Sequence, residues 1–98
     1  MLNSKQRAYL MKMASNITPI FQIGKSSLTP EIIEAVDAAL EKRELIKISV
    51  LKNCADDPKE IAEMTAERTR SQVVQVIGKK IVLFRSSKKK PVIVLPKS

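Results

Sequence analysis

The sequence lacks histidine, has one cysteine, and carries only two glycines and three aromatic residues in 98 positions. Without histidine it lacks the commonest general base, the usual partner of a nucleophilic serine or cysteine, and the usual zinc ligand. Cys54 alone forms neither an internal disulfide nor a cysteine zinc site. We therefore expect a protein that is not an enzyme and that holds no cofactor or metal.

Long apolar runs are also missing. No stretch reaches the eighteen or so apolar residues that a membrane span needs. At the N-terminus, Lys5, Arg7 and Lys12 interrupt any apolar core that a signal peptide would require. Since 44% of the residues are apolar, a packed fold is expected, and the length suits one domain. These features predict a cytoplasmic protein.

Charge is abundant and unevenly distributed. Eighteen lysines and arginines face ten acids, for a net charge of +8. Residues 1–27 and 68–98 contain no acid, and every carboxylate lies between Glu31 and Glu67. Such segregation predicts a positive surface built from both ends of the chain, with a polyanion as its natural partner.

Periodicity and end signals predict seven elements in the order α-β-α-β-α-β-β. The predicted helices cover residues 4–15, 30–43 and 58–69, and the predicted strands cover 20–23, 45–52, 72–77 and 80–85. Two β-α-β steps favour largely parallel pairing, and Gly78-Lys79 indicates a closing hairpin. We predict an α/β fold: a single two-layer domain with a mixed four-stranded sheet.

The segment FQIGKSSLTPEI places Gly24, Lys25, Ser26 and Ser27 between a strand and a helix start. Glycine permits close backbone approach, lysine and serine supply charge and donors, and a helix N-terminus adds free N–H groups. The loop could hold a phosphate, or it could be a plain strand-to-helix turn. It is not a nucleotide P-loop, because that spacing and its second glycine are absent.

Two further basic groups could lie along a phosphate backbone. Lys5, Tyr9 and Lys12 share one side of the first helix, with Arg7 nearby, and Lys79 and Lys80 lie at the hairpin tip. Each group could equally be a solvated surface. Aromatic residues are too few for reading stacked bases, which favours recognition of backbone and shape.

The combination of SKQRAYL, QIGKSSLT, LIKISVL and AERTRSQVVQVIGKKIVLFR resembles the CRM domain (chloroplast RNA splicing and ribosome maturation), especially bacterial single-domain YhbY-type members. The resemblance covers residues 3–86. It implies a fold similar to the C-terminal domain of bacterial translation initiation factor three. It also implies RNA binding and, for bacterial members, association with large-subunit precursors, whose RNA is 23S rRNA or its precursor. The family's GxxG loop maps onto Gly24 to Ser27, with Ser27 replacing the second glycine.

The hypothesis is a non-catalytic RNA-binding protein of 98 residues that acts in ribosome assembly, with residues 87–98 forming a basic linker and a short apolar tail. The alternative is a protein-interaction module whose working surface is the acidic stripe of the second helix (Glu34, Asp37, Glu41) with the apolar run Val92–Leu95. That run could be an edge strand, a packed tail or a partner contact. A DNA-binding role is disfavoured because helix-turn-helix spacing is absent. The oligomeric state stays open.

Overall fold

The computed structural model describes residues 2–97. Its helices are α1 (Ser4–Ala14), α2 (Pro30–Arg43) and α3 (Pro58–Thr69), and its strands are β1 (Phe21–Ile23), β2 (Leu45–Val50), β3 (Gln72–Ile77) and β4 (Lys80–Phe84). All seven predicted elements are present in the predicted order. Their bounds differ from the predicted ones by at most two residues.

Each helix begins where its capping residues predict. The side chains of Asn3, Thr29 and Asp57 each accept a hydrogen bond from a backbone N–H of the first turn. Pro30 and Pro58 occupy first helical positions, where a missing N–H costs nothing. Among residues 2–97, no helix is both long and apolar enough to cross a membrane.

The sheet has the strand order β1-β2-β4-β3. β1 runs parallel to β2, while β4 is antiparallel to both β2 and β3. The mixed four-stranded sheet is confirmed, but the expected largely parallel pairing is corrected, because only one neighbouring pair is parallel. The hairpin folds β4 back between β2 and β3, which run in the same direction without touching.

Helices cover both faces of the sheet, so the two-layer expectation is corrected to three layers. Along β4, Ile81 and Leu83 face a core shared with α2 and α3, whereas Val82 and Phe84 face α1. The first core contains Ile23, Val36, Leu40, Ile46, Ile48, Val50 and Ile61, and the second contains Leu10, Ala14, Leu45 and Val74. The strict alternation of β4 serves both cores, since neighbouring strand residues point to opposite faces.

The hairpin between β3 and β4 has the predicted two-residue turn at Gly78 and Lys79. Gly78 has a φ of +56°, in the left-handed region that glycine adopts without penalty. The turn therefore leaves Lys79 and Lys80 exposed at one end of the sheet.

Candidate nucleic-acid interface

The loop from Gly24 to Ser27 is a tight turn directly after β1. The Ser27 N–H donates to the Gly24 carbonyl oxygen at 2.9 Å, and Lys25 and Ser26 are exposed at its tip. Thr29 follows as the cap of α2. The predicted arrangement of an exposed lysine just ahead of a helix N-terminus is therefore present.

Ser27 occupies a backbone conformation that favours glycine. Its φ is +54°, which explains why a glycine suits this position of a GxxG loop. The Ser27 Oγ donates to Asp56 Oδ2 at 2.5 Å. The hydroxyl proton that we expected to reach a phosphate is thus held by a carboxylate of the chain itself.

Gly24 is closely packed and has no unusual φ. A Cβ built on it would lie 3.2 Å from Asn53 Oδ1 and 3.5 Å from Leu51 Cδ1. The first loop therefore rests on the turn that follows β2. The two turns and the N-termini of α2 and α3 lie together at one edge of the sheet.

We use the name loop edge for this end of the sheet, where β1, β2 and β3 end and β4 begins; it does not refer to an edge strand. Lys80 is paired with Ser49 in the sheet, and its Nζ donates to the Ser49 Oγ at 3.0 Å. The Val50 N–H donates to the Lys79 carbonyl oxygen at 2.7 Å. The structure therefore brings Lys79 and Lys80 to the same edge as Lys25.

Helix α1 carries the predicted exposed stripe, because Lys5, Tyr9 and Lys12 are all exposed. The helix runs along the sheet toward the loop edge. Its start lies beside the start of β3, where the Leu2 N–H donates to Gln72 Oε1 at 2.8 Å, and its last turn approaches Ile77. Lys12 thus lies toward the loop edge, whereas Lys5 lies toward the opposite edge.

Arg7 makes structural contacts in this protein. Its Nη1 donates to the carbonyl oxygens of Val73 and Val74 at 2.6 and 2.8 Å, where the register between β3 and β4 shifts. The guanidinium therefore satisfies backbone acceptors that an irregular strand leaves unpaired. That Arg7 also contacts RNA stays a prediction.

The sequence reasoning missed two residues that shape this surface. Asp56 follows a turn and showed no distinguishing spacing, yet its carboxylate lies against Ser27 and places a negative charge on the Gly24–Ser27 loop. Lys47 alternates with Ile46 and Ile48 along β2, and it was not predicted as a site residue. It lies partly buried on the α1 side of the sheet. The alternation of LIKISV already contained that information.

The acidic stripe of α2 is partly used inside the chain. Arg85 Nη1 donates to Asp37 Oδ1 at 2.5 Å, and the Ser87 Oγ donates to Glu41 Oε2 at 2.6 Å. The bond from Ser87, together with the N–H of Lys88, lowers the pKa of Glu41. Two of the three acids proposed as a partner surface are therefore engaged within the chain: Asp37 pairs with Arg85, and Glu41 holds the C-terminal segment, which we define as residues 86–97.

Glu44 anchors the same segment. The residue is 2% exposed, and its carboxylate accepts from the N–H groups of Ser87, Val92 and Ile93 at 2.7–2.8 Å. Burial alone would raise the pKa of Glu44, but these bonds outweigh it and the pKa is lowered. Ile93 packs on the second core, between α1 and the sheet, which we call the α1 core. Three arrangements were predicted for the apolar run Val92–Leu95, and the packed tail is the one observed.

The fold and the loop define a small mixed α/β domain with a lysine-rich sheet edge next to two helix N-termini. The chain belongs to the CRS1/YhbY (CRM) domain family, whose model matches residues 2–85. The predicted family is confirmed, and the C-terminal segment lies beyond the matched range.

Relatives cover nearly the whole chain. "Probable RNA-binding protein YqeI" of Bacillus subtilis is 47% identical over 98% of this chain and all of its own length. An "RNA-binding protein" of Haemophilus influenzae is 30% identical over 88% of this chain and 87% of its own. The solution structure of SAV1595 from Staphylococcus aureus, 53% identical, matches with a TM-score of 0.82 over 98% of this chain and all of that one.

Proposed function

We propose that this protein binds RNA without catalysing a reaction, and that it does so through the loop edge. The observation that carries the proposal is the convergence of Lys25, Lys79 and Lys80 at the edge where α2 and α3 begin. Helix N-termini and lysines both favour phosphate oxygens. The names of the relatives, which describe RNA-binding proteins, agree with this chemistry.

Each loop residue has a part in the proposal. Lys25 holds a phosphate, and the N–H and hydroxyl of Ser26, an exposed residue, donate to it. Gly24 lets the loop rest on the turn after β2, and Ser27 holds the left-handed conformation that closes the loop. Lys12 widens the positive footprint from α1, and Tyr9 and Lys5 extend it along the exposed side of that helix.

The RNA that we propose is 23S rRNA within precursors of the large ribosomal subunit, in the cytoplasm. Support comes from what the family resemblance implies for bacterial members. The mechanism would be docking on structured rRNA, which stabilises or shields a folding intermediate without any bond being made or broken.

A salt titration tests the loop edge directly. We expect Lys25→Ala to weaken RNA binding and to reduce the slope of log K against log salt by about 1, because one phosphate contact is lost. Lys42→Ala is the matched control, since it removes the same charge from the exposed end of α2 away from the loop edge. Equal slopes for the two variants would contradict the role of Lys25.

Crosslinking in cells tests the identity of the RNA. Ultraviolet crosslinking of the tagged protein, followed by sequencing, should concentrate reads in one region of large-subunit rRNA. Reads scattered over many transcripts would retain RNA binding and remove the ribosomal role. Reads no higher than those of a Lys25→Ala, Lys12→Ala double variant would instead favour the protein-interaction module.

One observation supports that second function. Val92 and Val94 are 78% and 80% exposed, although their neighbours Ile93 and Leu95 pack on the α1 core. An apolar pair held on the surface by an extended segment is a feature of partner contacts. A pull-down with wild type and a Val92→Ser, Val94→Ser variant would identify a partner that depends on this pair.

A further inference from the structure

Helix α1 leaves part of its sheet face open near the loop edge. Two depressions of about 140 and 360 Å³ adjoin there and share the side chains of Lys47, Gln75, Ile77 and Val82. Lys80 lines the first and Lys12 lines the second. We call the two together the α1 groove.

The chemistry of the α1 groove combines cations with an apolar surface. Lys12 approaches from the helix, and Lys47 and Lys80 from the sheet, while no carboxylate is among the lining residues. Ile77 is 61% exposed, so it presents a large apolar side chain to solvent at the end of β3. Gln75 adds an amide that can both donate and accept hydrogen bonds.

We propose that the α1 groove holds an unpaired nucleotide of the bound RNA, with its base against Ile77 and its phosphates on Lys47 and Lys80. This inference rests on the proposed function, because Lys80 belongs both to the groove and to the loop edge. The groove thereby extends the path of the RNA from the Gly24–Ser27 loop across the sheet.

The mixture of contacts favours an unpaired nucleotide over a duplex. A double-stranded RNA helix presents phosphates and 2′-hydroxyls, while its base faces are stacked and cannot reach an apolar surface. The phosphates of a duplex would contact only the lysines of the groove, and Ile77 would stay exposed. An unpaired base can cover Ile77 and bond to the Gln75 amide at the same time.

The test compares two fluorescent RNAs by anisotropy: a fully paired duplex and the same duplex with a single-stranded extension. Ile77→Ser should weaken binding of the extended RNA about fivefold. In the wild type the base buries the Ile77 side chain, which is 61% exposed in the free protein, and the variant loses that apolar contact. It should leave duplex binding unchanged. Met64→Ser is the control, since Met64 is another large apolar side chain exposed to solvent (44%) and it lies on α3, outside the groove.

A second variant guards against damage to the hairpin by the first. Lys47→Gln removes the charge with a side chain only one atom shorter, and it should reduce the salt slope for the extended RNA more than for the duplex. Melting curves by circular dichroism establish that both variants fold. A photoreactive uridine in the extension should crosslink to peptides containing Ile77 or Lys47.

The outcomes separate the groove from the proposed function. If Lys25→Ala weakens both RNAs while Ile77→Ser and Lys47→Gln change neither, the groove proposal is overturned and the loop edge stands. If the wild type binds neither RNA at about 0.1 M salt, both are overturned. The last outcome concerns an acidic peptide such as polyglutamate. If it displaces the extended RNA from the wild type but not from Ile77→Ser, the groove binds peptide, and the proposal fails in favour of a protein partner.

Discussion

Replacing Glu44 with glutamine should remove a large part of the stability of this protein. The buried carboxylate accepts three backbone N–H bonds, from Ser87, Val92 and Ile93. A glutamine keeps one acceptor oxygen and turns an NH₂ group toward the remaining donors. Because a hydrogen bond to a charged group contributes about 1.5–3 kcal/mol, and the freed N–H groups can regain water, we expect a net loss of about 2–3 kcal/mol.

That loss is large enough to measure by thermal unfolding. In a domain of this size, 1 kcal/mol corresponds to about 4–8 °C in Tm, so the Tm of Glu44→Gln should fall by about 10–20 °C. Glu34→Gln is the matched control, since it removes the same charge from an exposed position on α2. A Tm for Glu44→Gln within about 3 °C of the wild type would refute the anchoring role.

The backbone at Glu44 allows a sharper version of the experiment. Its φ of +66° is one that glycine adopts freely, and a side chain there costs about 1 kcal/mol or more. Glu44→Gly should destabilise the full chain, because the loss of the anchor outweighs the relief of strain. In a chain ending at Arg85, where the anchored segment is gone, the same substitution should stabilise. An effect of the same sign and size in both chains would contradict the reasoning.

Four further predictions concern Glu44, Ser27, Asp56 and Arg7. The pKa of Glu44 in the folded protein lies below its ordinary 4.5, so its contribution to stability is fully present above pH 4.5 and is lost as the pH falls through the folded pKa. Urea titrations of the wild type at decreasing pH should show this loss. In Glu44→Gln the part of the loss that comes from Glu44 should be missing. Ser27→Gly should change the free energy of unfolding by less than about 1 kcal/mol, since relief of the left-handed φ offsets the lost bond to Asp56, whereas Ser27→Val should destabilise by about 1–2 kcal/mol in the same denaturation assay. Asp56→Asn keeps an acceptor for the Ser27 hydroxyl but removes a negative charge that lies against the Gly24–Ser27 loop, so RNA affinity at low salt should rise about two- to threefold. No rise would show that the carboxylate lies outside the RNA path. Arg7→Ala should lower the free energy of unfolding by about 1–3 kcal/mol through loss of its two carbonyl contacts; an unchanged salt slope for RNA would assign Arg7 to the fold alone.

Local signals in the sequence were sufficient for the elements and for the place of the loop. Caps at Thr29 and Asp57, the prolines behind them and the glycine of the hairpin act within a few residues, so they can be read without the fold. The loop was located on the same basis. The hydrogen bonds of its residues to other parts of the chain were not available from spacing.

Long-range placement was the part that the sequence did not reveal. Whether β4 lies beside β3 alone or between β3 and β2 depends on packing across the whole sheet, and both arrangements satisfy the same alternation. The sequence did not single out Glu44, because its partners are more than forty residues away. Ser27 and Asp56 are likewise separated by 29 positions.

The position of β4 inside the sheet has a consequence for how the chain is made. Synthesis delivers β2 and then β3, whose common neighbour is still missing until residues 80–84 have emerged. Until then β2 has its β1 partner only, and its other edge exposes unpaired backbone groups. The last strand to arrive therefore completes the middle of the sheet. A nascent chain, or a product cut before Phe84, lacks an interior strand rather than a dispensable border, so stable folding must wait for nearly the entire domain.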